Sequence, residues 1–193
     1  MKPILYGIRY ILLHHLRRKH TPLICGLVLT NKCNLRCKQC RIPERGDKRL
    51  RFDDIERTIQ SFYGEGGRSL YLEGGEPMLW RDGERGIDDI VERAHEIGYY
   101  TVVIYTNGTF PLETSADTVF VSLDGLRDTH DSLRGESFER IIENVRASSH
   151  RALYANYTIN ARNQDEIEAF CSYVDALGKI RGTFFYFHTP YYG

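Results

Sequence analysis

The chain has 193 residues, of which 41% are hydrophobic and 27% charged, enough to bury one sizeable core. Its 26 basic side chains balance 26 acidic ones, so nothing in the charge calls for nucleic acid as a partner. Five cysteines, with three in one short stretch, argue against a secreted disulfide framework and for a reducing cytoplasm.

The chain opens with an amphipathic segment, Ile4 to Lys19, in which Leu5, Ile8, Leu12 and Leu16 recur at helical spacing. It is shorter than the roughly 18 to 20 apolar residues needed to span a bilayer. Arg9 interrupts it and Arg17, Arg18 and Lys19 close it, the reverse of the order in a signal peptide. Basic residues in a last helical turn complement the helix dipole, which makes a packing helix the simple reading and peripheral membrane contact the alternative. Residues 1–22 are expected to form this basic helix and residues 23–193 the main domain.

Strand-like and helix-like blocks then alternate. Leu23 to Thr30 is an apolar strand with the cysteine segment as its loop. Phe52 opens a helix to about Tyr63, with Asp53 or Asp54 placed to cap it. A short strand, Ser69 to Leu72, leads into Gly74-Gly75-Glu76-Pro77. A helix from about Gly86 to Ile97 stops at Gly98, and the strand Tyr100 to Tyr105 runs into Thr106-Asn107-Gly108. The linker from Asn107 to Asp117 is too short and turn-rich for a full helix. Thr118 to Leu123 is the next strand, closing in Asp124-Gly125; a helix over Phe138 to Ser148, a strand over Leu153 to Ile159, a helix over Gln164 to Leu177 and a last strand over Thr183 to Phe187 follow. Cys25, in the first strand, and Cys171, in the last helix, read as buried thiols.

Strands followed by helices predict parallel pairing through right-handed crossovers. Six such units are too few for an eight-stranded closed barrel, leaving a partial curved barrel or an open doubly wound sheet. Either arrangement gathers functional groups in the loops after the strand C-terminal ends. The distinctive motifs all fall there.

Cys33, Cys37 and Cys40 have the spacing C-x3-C-x2-C. Three thiolates hold three corners of a four-iron cluster and leave the fourth iron open, whereas electron-carrying clusters use four cysteines. The alternative is zinc with a fourth ligand from elsewhere, such as a histidine. Arg36, Lys38 and Arg41 among them favour thiolate over thiol. Gly74 and Gly75 let backbone approach a ligand closely, and the Glu76 carboxylate beside exposed carbonyls can receive an ammonium group, with Pro77 fixing the exit. Ser122 and Asp124 suit a ribose or an amino acid, although Asp124-Gly125 and Asn107-Gly108 are also ordinary turn sequences. His130, Asp131 and Arg134, taken alone, read as a solvated charged face.

In order and spacing, the cysteine motif, Gly74 to Pro77, Thr106-Asn107-Gly108 and Ser122-Leu123-Asp124-Gly125 together resemble the radical S-adenosylmethionine (radical SAM) enzymes, from Leu23 to His188. The stretch from Ser122 through His130-Asp131 and Arg134-Gly135 to Ser137-Phe138 is similar to the branch containing the molybdenum-cofactor synthase and the peptide-modifying maturases. The resemblance implies an α/β fold, a partial (β/α)6 TIM-like barrel of parallel strands, with a [4Fe-4S] cluster held by Cys33, Cys37 and Cys40. It implies S-adenosyl-L-methionine on the fourth iron, with Gln39, Gly74, Gly75, Glu76, Pro77, Asn107, Ser122, Asp124, Arg134 and Asn160 as its contacts. One electron would cleave the sulfonium to methionine and a 5′-deoxyadenosyl radical, which takes hydrogen from a substrate; no general base or nucleophile is implied.

Gln39 departs from the pattern, because many members carry an aromatic residue before the third cysteine. The implied partners are a peptide, small-molecule or nucleotide-like substrate and an external electron donor of the ferredoxin or flavodoxin type. The rival from another class is a non-catalytic iron–sulfur or zinc protein on the same scaffold. His188, Tyr191 and Tyr192 are candidates for lining the site. No cysteine-rich extension follows Cys171, and the aromatic end, Phe184 to Phe187 with Tyr191 and Tyr192, would leave apolar surface uncovered. A core truncated after its sixth strand is the expectation.

Overall fold

Apolar residues alternate with others along most strand segments, and this pattern decides which face of the sheet is covered. The computed structural model describes residues 3–17 and 22–188. Arg18, Lys19, Tyr191 and Tyr192 lie outside the described residues, as do the side chains of Arg9, Leu16 and Arg17. Six strands, β1 (Ile24–Val28), β2 (Ser69–Glu73), β3 (Thr101–Thr106), β4 (Thr118–Ser122), β5 (Leu153–Ile159) and β6 (Ile180–Phe187), are all parallel and stand in sequence order. β1 and β6 do not pair, so the sheet stays open. Sequential order with crossovers of one hand puts every connection on the same side, which gives a curved partial barrel; a doubly wound sheet would need its order to reverse.

The helices on that covered side are α2 (Phe52–Glu65), α3 (Ile87–Ile97), α5 (Phe138–Ala147) and α6 (Ile167–Leu177). No helix links β3 to β4, as the short linker predicts. Facing these helices, Leu70, Leu72, Val102, Ile104, Val121, Leu153 and Ala155 are wholly buried. Two packed clusters result, one of β1–β3 with α2 and α3, the other of β4–β6 with α5 and α6. The concave face carries aromatic rings instead. Tyr71 lies 5.8 Å from Tyr105, Tyr105 stacks on Phe120 at 4.7 Å, and Phe120 meets Tyr154 at 5.5 Å between centroids.

Several local expectations need correction. α2 is not capped by Asp53 or Asp54; the Phe52 amide donates to Asp82 Oδ2 at 2.8 Å, a carboxylate from a distant loop. Those two aspartates sit in its first turn, where negative charge suits the helix dipole. An additional helix, α4 (Arg127–Arg134), precedes α5. Cys25 is buried as expected, whereas Cys171 is only half-buried on α6. β6 begins at Ile180 rather than Thr183, and its aromatic run Phe184–Phe187 is 40–82% exposed.

At the chain's start, α1 (Pro3–Arg17) sits at the N-terminal end of the strands. The Tyr6 hydroxyl donates to the Gly66 carbonyl, its ring meets Tyr100 edge-on, and Arg68 lies over it at 5.1 Å. Among the described residues, no helix is long and apolar enough to cross a membrane.

Candidate functional site

A cleft of about 420 Å³ opens at the C-terminal ends of the strands. Its walls include Cys33, Cys37 and Cys40 from the loop after β1, Gly74 and Gly75 after β2, Asn107 after β3, Ser122 on β4 and Arg134 on α4. One fold feature brings them together: parallel strands point all their exit loops the same way.

The cysteine loop is fastened from several neighbours. Gly75 N donates to Thr30 O at 2.7 Å and Glu76 N to Lys32 O at 2.8 Å. The Asn107 amide nitrogen donates to Asn34 Oδ1 at 2.9 Å and lies 3.8 Å from Cys33 Sγ. Lys38 N donates to Leu133 O at 2.9 Å, and Gln39 Nε2 to Asp124 Oδ2 at 2.9 Å. Gly74 and Gly75 serve this fastening first. A Cβ on Gly74 would stand 2.6 Å from Thr30 O, and one on Gly75 would stand 2.4 Å from Lys32 O. The space these glycines leave is therefore filled by the root of the cysteine loop, while their backbone still borders the cleft.

Glu76 does not line the cleft, where the sequence expectation would place it. It is wholly buried. Oε1 accepts from Thr106 Oγ1 at 2.7 Å and Met78 N at 3.0 Å, and Oε2 accepts from Asn107 N at 2.7 Å. Burial pushes its pKa above the ordinary carboxylate value, and these three donors pull the other way. Glu76 thus ties the loop after β2 to the end of β3.

Asp124 has the same character. Also wholly buried, it accepts from Arg134 Nε at 2.6 Å and Gln39 Nε2 through Oδ2, and from Thr158 N at 2.8 Å through Oδ1. Arg134 is nearly buried; burial opposes its charge, but the Asp124 carboxylate beside it more than restores it. His130 is wholly enclosed too. Its Nδ1 accepts from Asp124 N at 3.2 Å, and Nε2 donates to Ser137 Oγ at 3.1 Å. Burial and then the Arg134 charge push its pKa down to about 4. Asp131 accepts from the amides of Ser137 and Phe138, both at 2.9 Å, and so starts α5. The solvated face expected from this stretch is instead a buried network supporting the cleft.

Pro77 is buried behind the wall, and Asn160 closes the turn after β5, accepting from Arg162 N at 2.9 Å. Neither borders the cleft. Gln39, Gly74, Gly75, Asn107, Ser122, Arg134 and His188 do. Sequence reasoning missed Glu73, Tyr105, Asn156 and Thr158, all on the wall. Strand alternation from Ser122 would have pointed to Asn156 and Thr158, since Ser122 pairs with Asn156.

The three thiols are half-exposed, and burial raises Cys33 and Cys37 above the usual thiol value. Three thiols on one loop match a four-iron cube with one open corner, whereas tetrahedral structural zinc needs a fourth protein ligand beside them. The donor set fits the cluster. Gln39 Oε1 and Asn156 Oδ1 are buried acceptors without a partner among the described residues, and both residues border the cleft. Each is open to a hydrogen-bond donor from a ligand or from water in the cleft.

The family model described as "Radical SAM superfamily" matches residues 27–182. A "Probable GTP 3′,8-cyclase" of Saccharolobus solfataricus is 32% identical over 167 residues, covering 79% of this chain and 53% of the relative. The "GTP 3′,8-cyclase" of Lactiplantibacillus plantarum is 30% identical over 76% of this chain and 49% of its own length. The chain spans about half the length of the curated relatives it matches. Among solved structures, Streptococcus suis SuiB bound to S-adenosylmethionine superposes with a TM-score of 0.77 at 19% identity, covering 97% of this chain and 46% of that one. That likeness supports the partial-barrel fold.

Proposed function

Because the chain belongs to the radical SAM superfamily, we propose that it is a radical SAM enzyme, holding a [4Fe-4S] cluster through Cys33, Cys37 and Cys40 and S-adenosylmethionine in the adjoining cleft. The observation that carries the reading is that three thiols, a glycine backbone, a buried arginine and two orphaned amide oxygens share one cleft. When bound, the pair supplies one-electron cleavage of the sulfonium and a 5′-deoxyadenosyl radical that takes hydrogen from a substrate.

The chain's own residues bind, orient and exclude water. Gly74 and Gly75 present backbone to the amino group of the cofactor. Arg134, aimed by Asp124 through its Nε, keeps its remaining guanidinium N–H groups for a carboxylate. Gln39, Ser122 and Asn156 take the ribose and adenine side, with Gln39 offering an amide rather than an aromatic ring. Glu76 and Asp124 act as positioning residues, holding the loops that carry these groups. The substrate, a peptide or a small molecule such as a nucleotide, enters beside Glu73, Tyr105 and His188 on the concave side. The electron for the cluster would come from an external donor of the ferredoxin or flavodoxin type, in a reducing cytoplasm.

A cluster carrier without catalysis is the rival; a cleft that also presents a glycine backbone and Arg134 favours the enzyme, since a carrier has no use for such a site. Anaerobic reconstitution with iron and sulfide, then dithionite and S-adenosylmethionine, should yield 5′-deoxyadenosine, and Cys37→Ala should yield none. Iron incorporation without 5′-deoxyadenosine would favour the carrier, and tight zinc in place of iron would overturn both.

A further inference from the structure

α1 is mounted with its aliphatic side outward. At about 100° per residue, Ile4, Leu5, Ile8, Ile11 and Leu12 fall in one stripe roughly 120° wide. All five are 51–78% exposed. Tyr6 and Tyr10 lie on the other side of the helix and are half-buried. Tyr6 makes the attachment, through the Gly66 carbonyl, Tyr100 and Arg68. A helix that served only to cover the barrel end would turn its aliphatic stripe inward and leave the tyrosine hydroxyls in water. This one does the reverse.

Charge supplies a second, independent observation. Residues 1–22 contain Lys2, Arg9, Arg17, Arg18 and Lys19 with no acidic residue, and the first acidic side chain of the chain is Glu44. The chain as a whole has a formal net charge of zero, so this excess is local. An exposed aliphatic stripe within a wholly basic segment complements an anionic lipid surface, whose interface takes the stripe and whose headgroups take the cations. A second protein surface would have to supply both a large apolar patch and its own acidic rim.

We propose that α1 docks the protein on the surface of anionic membranes, lying in the interface without crossing it. Its seat is at the N-terminal end of the strands, beside Gly66, Arg68 and Tyr100, and the cleft opens at the opposite, C-terminal end. The docked protein keeps its cleft open to the aqueous side, where a reductant can reach it.

Co-sedimentation of the full chain with phosphatidylcholine vesicles, with and without phosphatidylglycerol, tests this. Partition onto the anionic vesicles should exceed that onto neutral ones by at least about tenfold and fall with salt, since each basic residue near the surface contributes roughly fivefold. Ile8→Glu with Leu12→Glu should abolish sedimentation while far-ultraviolet circular dichroism is retained. Arg17→Gln with Arg18→Gln, which leaves the stripe intact, should weaken partition on anionic vesicles alone. Failure of the wild type to sediment with anionic vesicles would overturn the proposal. So would equal sedimentation of the Glu double variant, or a dimer by light scattering that this variant dissolves while vesicle binding is absent.

Discussion

The two faces of one sheet are built to opposite specifications. Toward the helices, residues such as Leu72, Ile104 and Val121 are sealed and purely aliphatic, so that face contributes cohesion and has no free polar group to offer. Toward the concavity, Glu73, Tyr105, Ser122 and Asn156 alternate with them on the same strands and border the cleft. The rim between the two regions is the informative zone. There Glu76 and Asp124 are as buried as the aliphatic core, yet their carboxylates bond mainly to residues that line the cleft, among them Thr106, Asn107, Arg134 and Thr158. Stability and binding are separated by side-chain parity along a strand, and the rim couples them.

The largest break should come at the rim. Asp124→Asn leaves the Arg134 charge buried without its counter-charge and should cost about 3–5 kcal/mol in urea unfolding. On the helix side, Ile104→Ala, at a site with no exposure, should cost about 2–5 kcal/mol. Phe184→Ala, on a strand residue 46% exposed, should cost roughly half the loss of a fully buried phenylalanine, about 2 kcal/mol. Equal losses at the two sites would erase the difference between the faces.

A pH experiment probes the rim again. The folded chain holds His130 neutral until about pH 4, while the unfolded chain binds a proton near the ordinary imidazole value of about 6.5. Stability from this group is therefore complete above about pH 6.5 and is lost as pH falls toward 4, by about 3 kcal/mol in total. Protonation would set a second N–H donor against the Asp124 amide. His130→Gln should remove most of that pH dependence in unfolding midpoints. The smallest effect belongs to the concave wall: Glu73 makes no hydrogen bond through its side chain among the described groups, and burial raises its pKa, so Glu73→Gln should shift stability by less than about 0.5 kcal/mol.

Much of this architecture is written in local pattern. The strand Leu153–Ile159 and the helix ending at Ile97 fall where alternation and Gly98 place them. The parallel order follows from strand–helix alternation, and the cysteine spacing points to the cleft without further help. What local pattern could not carry is the direction of a side chain whose partner is distant. Glu76 reads as a ligand group until Thr106 and Asn107, some thirty residues on, take both its oxygens. The cap of α2 comes from Asp82, equally remote. His130, Asp131 and Arg134 look like surface charge because the sequence does not show that Asp124 folds beneath them. Their burial is a tertiary fact.

Electron–nuclear double resonance on the reduced, reconstituted protein bears most directly on the open-iron reading. S-adenosylmethionine labelled with ¹⁵N at its amino group or ¹⁷O at its carboxylate should show hyperfine coupling to the cluster in the wild type. Absence of that coupling, in protein that carries a full complement of iron and binds the labelled ligand, would contradict a three-cysteine cluster whose fourth iron takes the cofactor.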